Sequence, residues 1–158
     1  MTIPMLALRQ RISQLFAGLI MASLLGCATT SSTRAESPVY LNITPAELTQ
    51  LMLEEGYSAR EDNGVDWKSD GVNTHLLFID GTQSIQFYVA YENSGDSTLE
   101  KVNEWNKTKR YSRSYSDNDN DPVLELDLDL AGGVTRDRIL DFLKTCRAST
   151  SAWIREVL

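Results

Sequence analysis

The sequence is short of the residues on which most enzymes depend. It contains two cysteines, Cys27 and Cys146, and a single histidine, His75. It has no Gly-x-Ser-x-Gly motif, no phosphate-binding glycine loop and no Cys/His spacing typical of a metal site. A lone histidine in an apolar strand is usually structural, because a general base needs a partner within hydrogen-bond reach. We therefore predict a non-catalytic protein that uses no metal and no cofactor.

The sequence also lacks an excess of basic residues and a long hydrophobic run. It has 15 lysines and arginines against 22 acidic residues, a formal net charge of −7. Such a surface repels phosphate backbones, which argues against nucleic-acid binding, and it offers no basic patch for anionic lipids. The apolar run at 12–25 is about 14 residues long, shorter than the roughly 20 residues that span a bilayer.

The N-terminus has the pattern of an export signal, with a basic start, an apolar middle and small residues at the end. The segment Leu24-Leu25-Gly26-Cys27 resembles a bacterial lipobox, in which the cysteine receives a lipid and becomes the first mature residue. We expect a signal peptide at 1–26, then lipidated Cys27 and a flexible tether at 27–38. Because residue 28 is alanine rather than aspartate, the resemblance implies the periplasmic face of the outer membrane. The membrane is then a partner through the lipid alone.

Two alternatives to lipidation fit the same residues. Cleavage after Ala28 would release a soluble periplasmic protein, and the apolar run could instead be a buried helix of a cytoplasmic protein. Loss of residues 1–26 would leave 13 basic against 22 acidic residues. Cys146 then has no intramolecular partner, and its place on the apolar stripe of the last helix predicts an inert core residue.

Residues 39–158 predict one α+β domain. The expected fold is an antiparallel sheet of about five strands with helices on one face, in the order α-β-β-β-β-α-β-β-α or with one strand fewer. Helices should begin at Thr44, at Ser97 and at Thr135, since each can cap a helix. Asp62-Asn63-Gly64 predicts a hairpin turn, and the apolar segment 75–80 predicts a strand that is buried on both faces.

The last predicted strand alternates strictly between leucine and acidic residues. Its leucines should face the helices, which places Glu125, Asp127 and Asp129 on the open face of the sheet. We hypothesise that this acidic stripe binds a basic segment of a protein or peptide partner; the alternative is a solvated surface without a partner. We expect Arg110 or Arg113 to neutralise part of it.

Residues 102–134 resemble a known family of bacterial proteins. The residues that carry the resemblance are Asn103, Trp105, Asn106, Arg110, Tyr115, the turn Asp119 to Pro122, and Gly132-Gly133-Val134. This block is similar to the YbjN-type family, regulators of sensory transduction. The resemblance implies a fold like that of type III secretion chaperones, which commonly dimerise, so a homodimer is a further expectation. The family has no established catalytic residues to carry over.

Two asparagines in the predicted second helix need a reason, because asparagine lowers helix propensity. The structural interpretation is that the amides of Asn103 and Asn106 bond nearby backbone while Trp105 lies in the core. The functional interpretation is a polar binding patch. We favour the structural one.

Two other functions stay open as alternatives to partner binding. The turn Asp117 to Asp121 resembles the start of a calcium loop, but Pro122 and Leu128 replace the glycine and glutamate that such a loop needs. A plain hairpin turn is therefore favoured. Asp127 and Asp129 could also serve an acid-based enzyme, although neighbouring strand carboxylates are more often a solvated face.

Overall fold

The computed structural model describes residues 38–79 and 81–158. Three predicted features lie outside these residues: the signal peptide (1–26), lipidated Cys27 and nearly all of the tether (27–38). What was predicted for them stays a prediction. Within the described part of the chain, no helix is both long and apolar enough to cross a membrane.

The described residues form three helices and eight strands. The helices are α1 (Pro45–Glu54), α2 (Leu99–Thr108) and α3 (Arg136–Glu156). The strands are β1 (Val39–Tyr40), β2 (Arg60–Glu61), β3 (Val65–Ser69), β4 (Val72–Ile79), β5 (Ser84–Ala90), β6 (Arg113–Ser116), β7 (Pro122–Asp129) and β8 (Val134–Thr135).

The main sheet has six antiparallel strands in the order β2-β3-β4-β5-β7-β6, and β1 pairs with β8 in a separate two-stranded sheet. The α+β class is confirmed, and the predicted order holds for the helices and the main sheet. The longer of the two predicted orders contains the six strands of that sheet, whereas β1 and β8 were not predicted. Two-residue strands are too short to show a period in the sequence.

One face of the main sheet packs against the helices. The core joins Leu48, Met52, Trp105, Leu143 and Trp153 from the helices to alternate residues of the strands, which include Trp67, Leu76, Phe87, Leu124, Leu126 and Leu128. The prediction that the leucines of β7 face the helices is confirmed. So is the prediction for Cys146, which has no exposed surface and whose pKa is raised well above the usual thiol value by burial.

None of the three described helices covers the other face of the sheet, and this corrects the prediction for segment 75–80. In β4, Thr74 and Leu76 are buried while His75 and Leu77 are partly exposed. The strand is therefore covered on one side only. The apolar residues of segment 75–80 led to the prediction of two covered sides. Leucine and phenylalanine also occupy half-exposed positions, so an apolar run does not by itself show burial on both sides.

The helix starts follow the capping signals with one correction. The Thr44 hydroxyl accepts from the Glu47 backbone and the Glu47 carboxylate accepts from the Thr44 backbone, a complete capping box. Thr135 caps α3 as predicted. The cap of α2 is Thr98 rather than Ser97, since its hydroxyl accepts from the Lys101 backbone.

The second helix is tied to the edge strand β6 by side chains of the family block. Trp105 is 2% exposed, which confirms its place in the core. The Asn106 amide donates to the Ser114 carbonyl at 2.8 Å and accepts from the Ser114 N–H at 2.9 Å. The Asn106 side chain thereby occupies backbone groups that an edge strand would otherwise offer to another chain. Asn103 is exposed, and the structural interpretation of that residue stays a prediction.

The glycine pair of the family block lets β1 approach β8. Both glycines have positive φ, 78° at Gly132 and 91° at Gly133. A Cβ at Gly133 would overlap the Val39 side chain of β1. Since a larger residue would push the strand away, Gly133 serves the fold rather than a binding site.

Candidate functional site on the open face of the sheet

A row of polar side chains crosses the open face of the sheet, one from each strand. Its members are directly opposite one another in the pairing register: Arg60, Asp66, His75, Tyr88, Glu125 and Arg113. We call these six residues the polar row. Cross-strand neighbours on one face are close enough to interact, so the register brings together residues that are far apart in the sequence.

At one end of the polar row, a carboxylate holds a histidine and an arginine. The Asp66 carboxylate lies 2.5 Å from His75 Nδ1 and accepts from Arg60 Nη2 at 2.6 Å. These hydrogen bonds, that of His75 first, hold the pKa of Asp66 below its usual value. Arg60 also pairs with Asp62 at 3.1 Å.

The His75–Asp66 contact supplies the partner that the sequence did not reveal. Asp66 alternates with the buried Val65 and Trp67, which would have placed it on the open face, but the register that sets it opposite His75 is not readable from the pattern. An imidazole oriented by a carboxylate is one part of a general base. Within residues 38–79 and 81–158, the hydrogen bonds of His75 reach Asp66 alone, and no hydroxyl or thiol nucleophile is bonded to the ring.

At the other end of the row, Glu125 is buried, which corrects the predicted acidic stripe. Glu125 is 5% exposed. Its carboxylate accepts from Arg113 Nε at 2.5 Å and from the Tyr115 hydroxyl at 2.7 Å. A buried carboxylate needs such partners to offset its lost hydration. Of the two predicted arginines, Arg113 neutralises the charge and Arg110 does not take part.

The other two acids of the stripe are exposed, as predicted. Asp127 accepts from the Gln86 side chain at 3.0 Å, and Asp129 accepts from the Ala131 backbone at 2.8 Å. The stripe therefore offers two carboxylates to solvent instead of three. Period-two alternation assigned the correct face to Glu125 but could not show that longer neighbouring side chains cover it.

A groove of about 610 Å³ lies on the open face beside the polar row. It is bordered by β3, β4 and β5, and its lining residues are Ser58, Arg60, Asp66, Trp67, Lys68, Asn73, Thr74, His75, Tyr88, Val89 and Ala90. We call this the sheet groove. Its volume falls within the range typical of ligand pockets.

The hairpin turn before the sheet groove depends on Gly64. This residue has a φ of 141°, and a Cβ there would overlap the Leu76 carbonyl oxygen and the His75 ring. The turn predicted at Asp62-Asn63-Gly64 is confirmed. Glycine is needed at this position for a second reason. The backbone of the turn lies against His75 and leaves no space for a side chain.

The aspartate-rich segment between β6 and β7 is a turn that satisfies its own backbone. Asp117 Oδ1 accepts from the N–H groups of Asp119 and Asp121, and Asp121 Oδ1 accepts from the Asn93 N–H. This is the behaviour of turn-forming aspartates, as favoured over the calcium loop. In the described part of the chain, no three acidic, histidine or cysteine residues are arranged to hold a metal ion.

Comparison with known proteins assigns the domain to a family. The model of the YbjN family, described as "Putative bacterial sensory transduction regulator", matches residues 44–158. The chain belongs to the YbjN family. This covers the whole domain beyond its first strand and confirms the resemblance carried by the 102–134 block.

A solved structure agrees with this assignment at the level of fold. The domain is similar to the crystal structure of YbjN, a putative transcription regulator from E. coli, with a TM-score of 0.60 and 21% identity over 70% of this chain and 87% of that one. No curated protein matches the sequence. A YbjN domain is thus shown, and the family description is that of a regulator rather than an enzyme.

We predict that Tyr115 titrates unusually late. Burial, followed by the hydrogen bond to Glu125, raises its pKa from 10.0 to about 12. The folded state thus favours the neutral phenol. The stability that this supplies is present below pH 10 and is lost as the pH rises towards 12. The difference in absorbance at 295 nm between the wild type and Tyr115→Phe should show the late ionisation.

Glu125→Gln provides the matched comparison for this titration. It removes the charge but keeps an acceptor for the hydroxyl, so the pKa of Tyr115 should fall towards, but not reach, its ordinary value, because burial is the larger cause. A Tyr115 midpoint near 10 in the folded wild type would contradict the desolvation of its hydroxyl and its hydrogen bond to Glu125.

Proposed function

We propose that this protein is a non-catalytic regulator of the cell envelope that binds an extended segment of a partner protein in the sheet groove. The observation that carries the proposal is the groove itself, which lies on the sheet face that the three described helices leave open. The family description as a regulator supports it, since a regulator acts by binding.

The chemistry of the sheet groove favours an uncharged or weakly charged segment. Asp66 already neutralises Arg60 within the lining, which leaves Lys68 as the lining cation without an ion pair among the described residues. Ala90 supplies exposed apolar surface beside polar Asn73 and Tyr88. Polar groups of this kind can bond the backbone of an extended segment while the apolar surface receives its side chains.

The basic partner hypothesised for the acidic stripe is less favoured than this segment. The Glu125 carboxylate forms an ion pair with Arg113. Attraction of a basic segment would then depend on Asp127 and Asp129. Two exposed carboxylates screened by salt give a weak field.

We place the protein on the periplasmic face of the outer membrane, attached by lipid on Cys27. This proposal is supported by the lipobox-like Leu24-Leu25-Gly26-Cys27 and by the polar segment 28–38, which has the composition of a tether. A lipid anchor would hold the domain near the membrane while leaving the sheet groove accessible to periplasmic partners.

The anchor can be tested by replacing the modified residue. Cys27→Ala should move the protein from the membrane fraction to the soluble fraction, because firm attachment requires the acyl chains. Cys146→Ala is the control and should leave the distribution unchanged, since that thiol is buried. A wild-type protein that is already soluble, with an N-terminus at or after Ala28, would show that the export signal releases a soluble periplasmic protein.

The sheet groove can be tested by crosslinking in cells. A photoreactive residue at exposed Asn73 should give an adduct of defined mass with the partner. Adding Ala90→Arg in the same chain should abolish the adduct, because the long side chain fills the groove at an exposed position. Gln86→Arg, which lies on the same strand and face but outside the groove, should leave it intact. Loss of the adduct in both variants, or in neither, would contradict binding in the groove.

A further inference from the structure

A second groove lies on the helix-covered side of the domain, between the end of α2 and the middle of α3. Its volume is about 420 Å³. Its walls carry the cations Lys109, Arg110 and Lys144 and the aromatic ring of Tyr111, and its apolar surface includes Ala148 and Ala152. We call this the helix groove. No acidic residue is among the described residues that line it.

The helix groove is locally positive although the net charge of the whole chain is −7. Lys109 is paired with Glu156 at 2.6 Å. Within residues 38–79 and 81–158, Arg110 and Lys144 form no ion pair, and both are exposed. Two cations are therefore available to a ligand.

The acidic residues near the helix groove are already engaged. Glu104 on α2 pairs with Lys107 at 3.8 Å, and Asp141 on α3 pairs with Arg138 at 3.0 Å. Glu156 holds Lys109. The charge of Arg110 and Lys144 is thus not matched from the elements packed around them.

Tyr111 is the second unusual feature at this place. Its side chain is 78% exposed, and its φ of 66° lies in the left-handed region that non-glycine residues rarely adopt. Both features cost free energy in the isolated domain. Tyrosine and arginine are enriched where proteins bind one another, and Tyr111 follows Arg110 directly.

We propose that the helix groove is a second docking surface, which binds an acidic segment of a partner protein. Carboxylates of the segment pair with Arg110 and Lys144, and an apolar side chain between them packs on Ala148, Ala152 and the Tyr111 ring. The charge complementarity selects an acidic segment. It also separates this surface from the sheet groove, in which Asp66 already neutralises Arg60.

A protein segment fits this surface better than an anionic membrane does. The net negative charge of the chain opposes approach to anionic lipid, which attracts proteins through clusters of several basic residues. A narrow acidic segment meets the local cations without bringing the remaining acidic surface against a second negative surface.

The test measures binding of a short fluorescent peptide of alternating glutamate and leucine to the full chain by anisotropy. Arg110→Glu combined with Lys144→Glu should weaken binding roughly tenfold or more, and added salt should weaken wild-type binding because exposed charges are screened. Tyr111→Ala should weaken it as well. The milder pair Arg110→Gln and Lys144→Gln supports the same conclusion if the double charge reversal perturbs the circular dichroism spectrum.

Matched controls separate local recognition from general charge effects. Lys101→Glu and Arg155→Glu together change the net charge equally at positions that line neither groove and should alter affinity by less than about twofold. A peptide with glutamine in place of glutamate should not bind. Equal weakening by the control pair, binding of the glutamine peptide, or no binding of the acidic peptide would overturn the proposal. Tighter binding to phosphatidylglycerol vesicles with the same dependence on Arg110 and Lys144 would also overturn it, in favour of a membrane surface.

Discussion

The three described helices all cover the same face of the six-stranded sheet, and most of the described structure follows from this. Every second strand residue must enter the core, while the residues between them must be stable beside water. On the open face this is achieved by cross-strand pairing of charges. Asp66 holds His75 and Arg60 at one end of the polar row, and Glu125 holds Arg113 at the other. The charges of the polar row are thereby paired, and a groove lies along the same face.

This pairing changes which residues can serve a partner. Glu125 contributes to the sheet through Arg113 and Tyr115 and is therefore a structural residue. The family block also serves the fold, since Asn106 covers the edge strand at Ser114 and Gly133 admits β1. The two surfaces proposed for binding are the sheet groove and the helix groove. Asp66 neutralises Arg60 in the first, whereas Arg110 and Lys144 in the second form no ion pair among the described residues, so the two would select different partner segments.

The sequence was sufficient for those parts of the fold that depend on local pattern. The leucine alternation of β7 assigned its two faces, the Thr44–Glu47 pair located the start of α1, and the stripe containing Cys146 located the inner side of α3. Each of these signals lies within a few residues of the position that it predicts. The YbjN resemblance, carried by 102–134, then extended the assignment to the whole domain.

The candidate site was less accessible to sequence reasoning, because it depends on strand register. Asp66 meets His75 and Arg113 meets Glu125 only after the strands have paired, and no local pattern fixes that pairing. Burial of Glu125 depends in addition on how the longer side chains beside it lie. The strands β1 and β8 could not be predicted from the sequence either, since two residues are too few to show a hydrophobic periodicity.

Cross-strand pairing neutralises the charges of the polar row only if Glu125 and Arg113 are energetically coupled. A double-mutant cycle on these two residues tests this most directly. The free energy of unfolding in urea would be measured for the wild type, Glu125→Ala, Arg113→Ala and the double variant. A charge-assisted hydrogen bond to a buried carboxylate predicts a coupling of about 1–3 kcal/mol. A coupling within about 0.3 kcal/mol of zero is typical of many solvated surface pairs. It would contradict the buried Glu125–Arg113 pair and indicate that Glu125 is a solvated member of the acidic stripe.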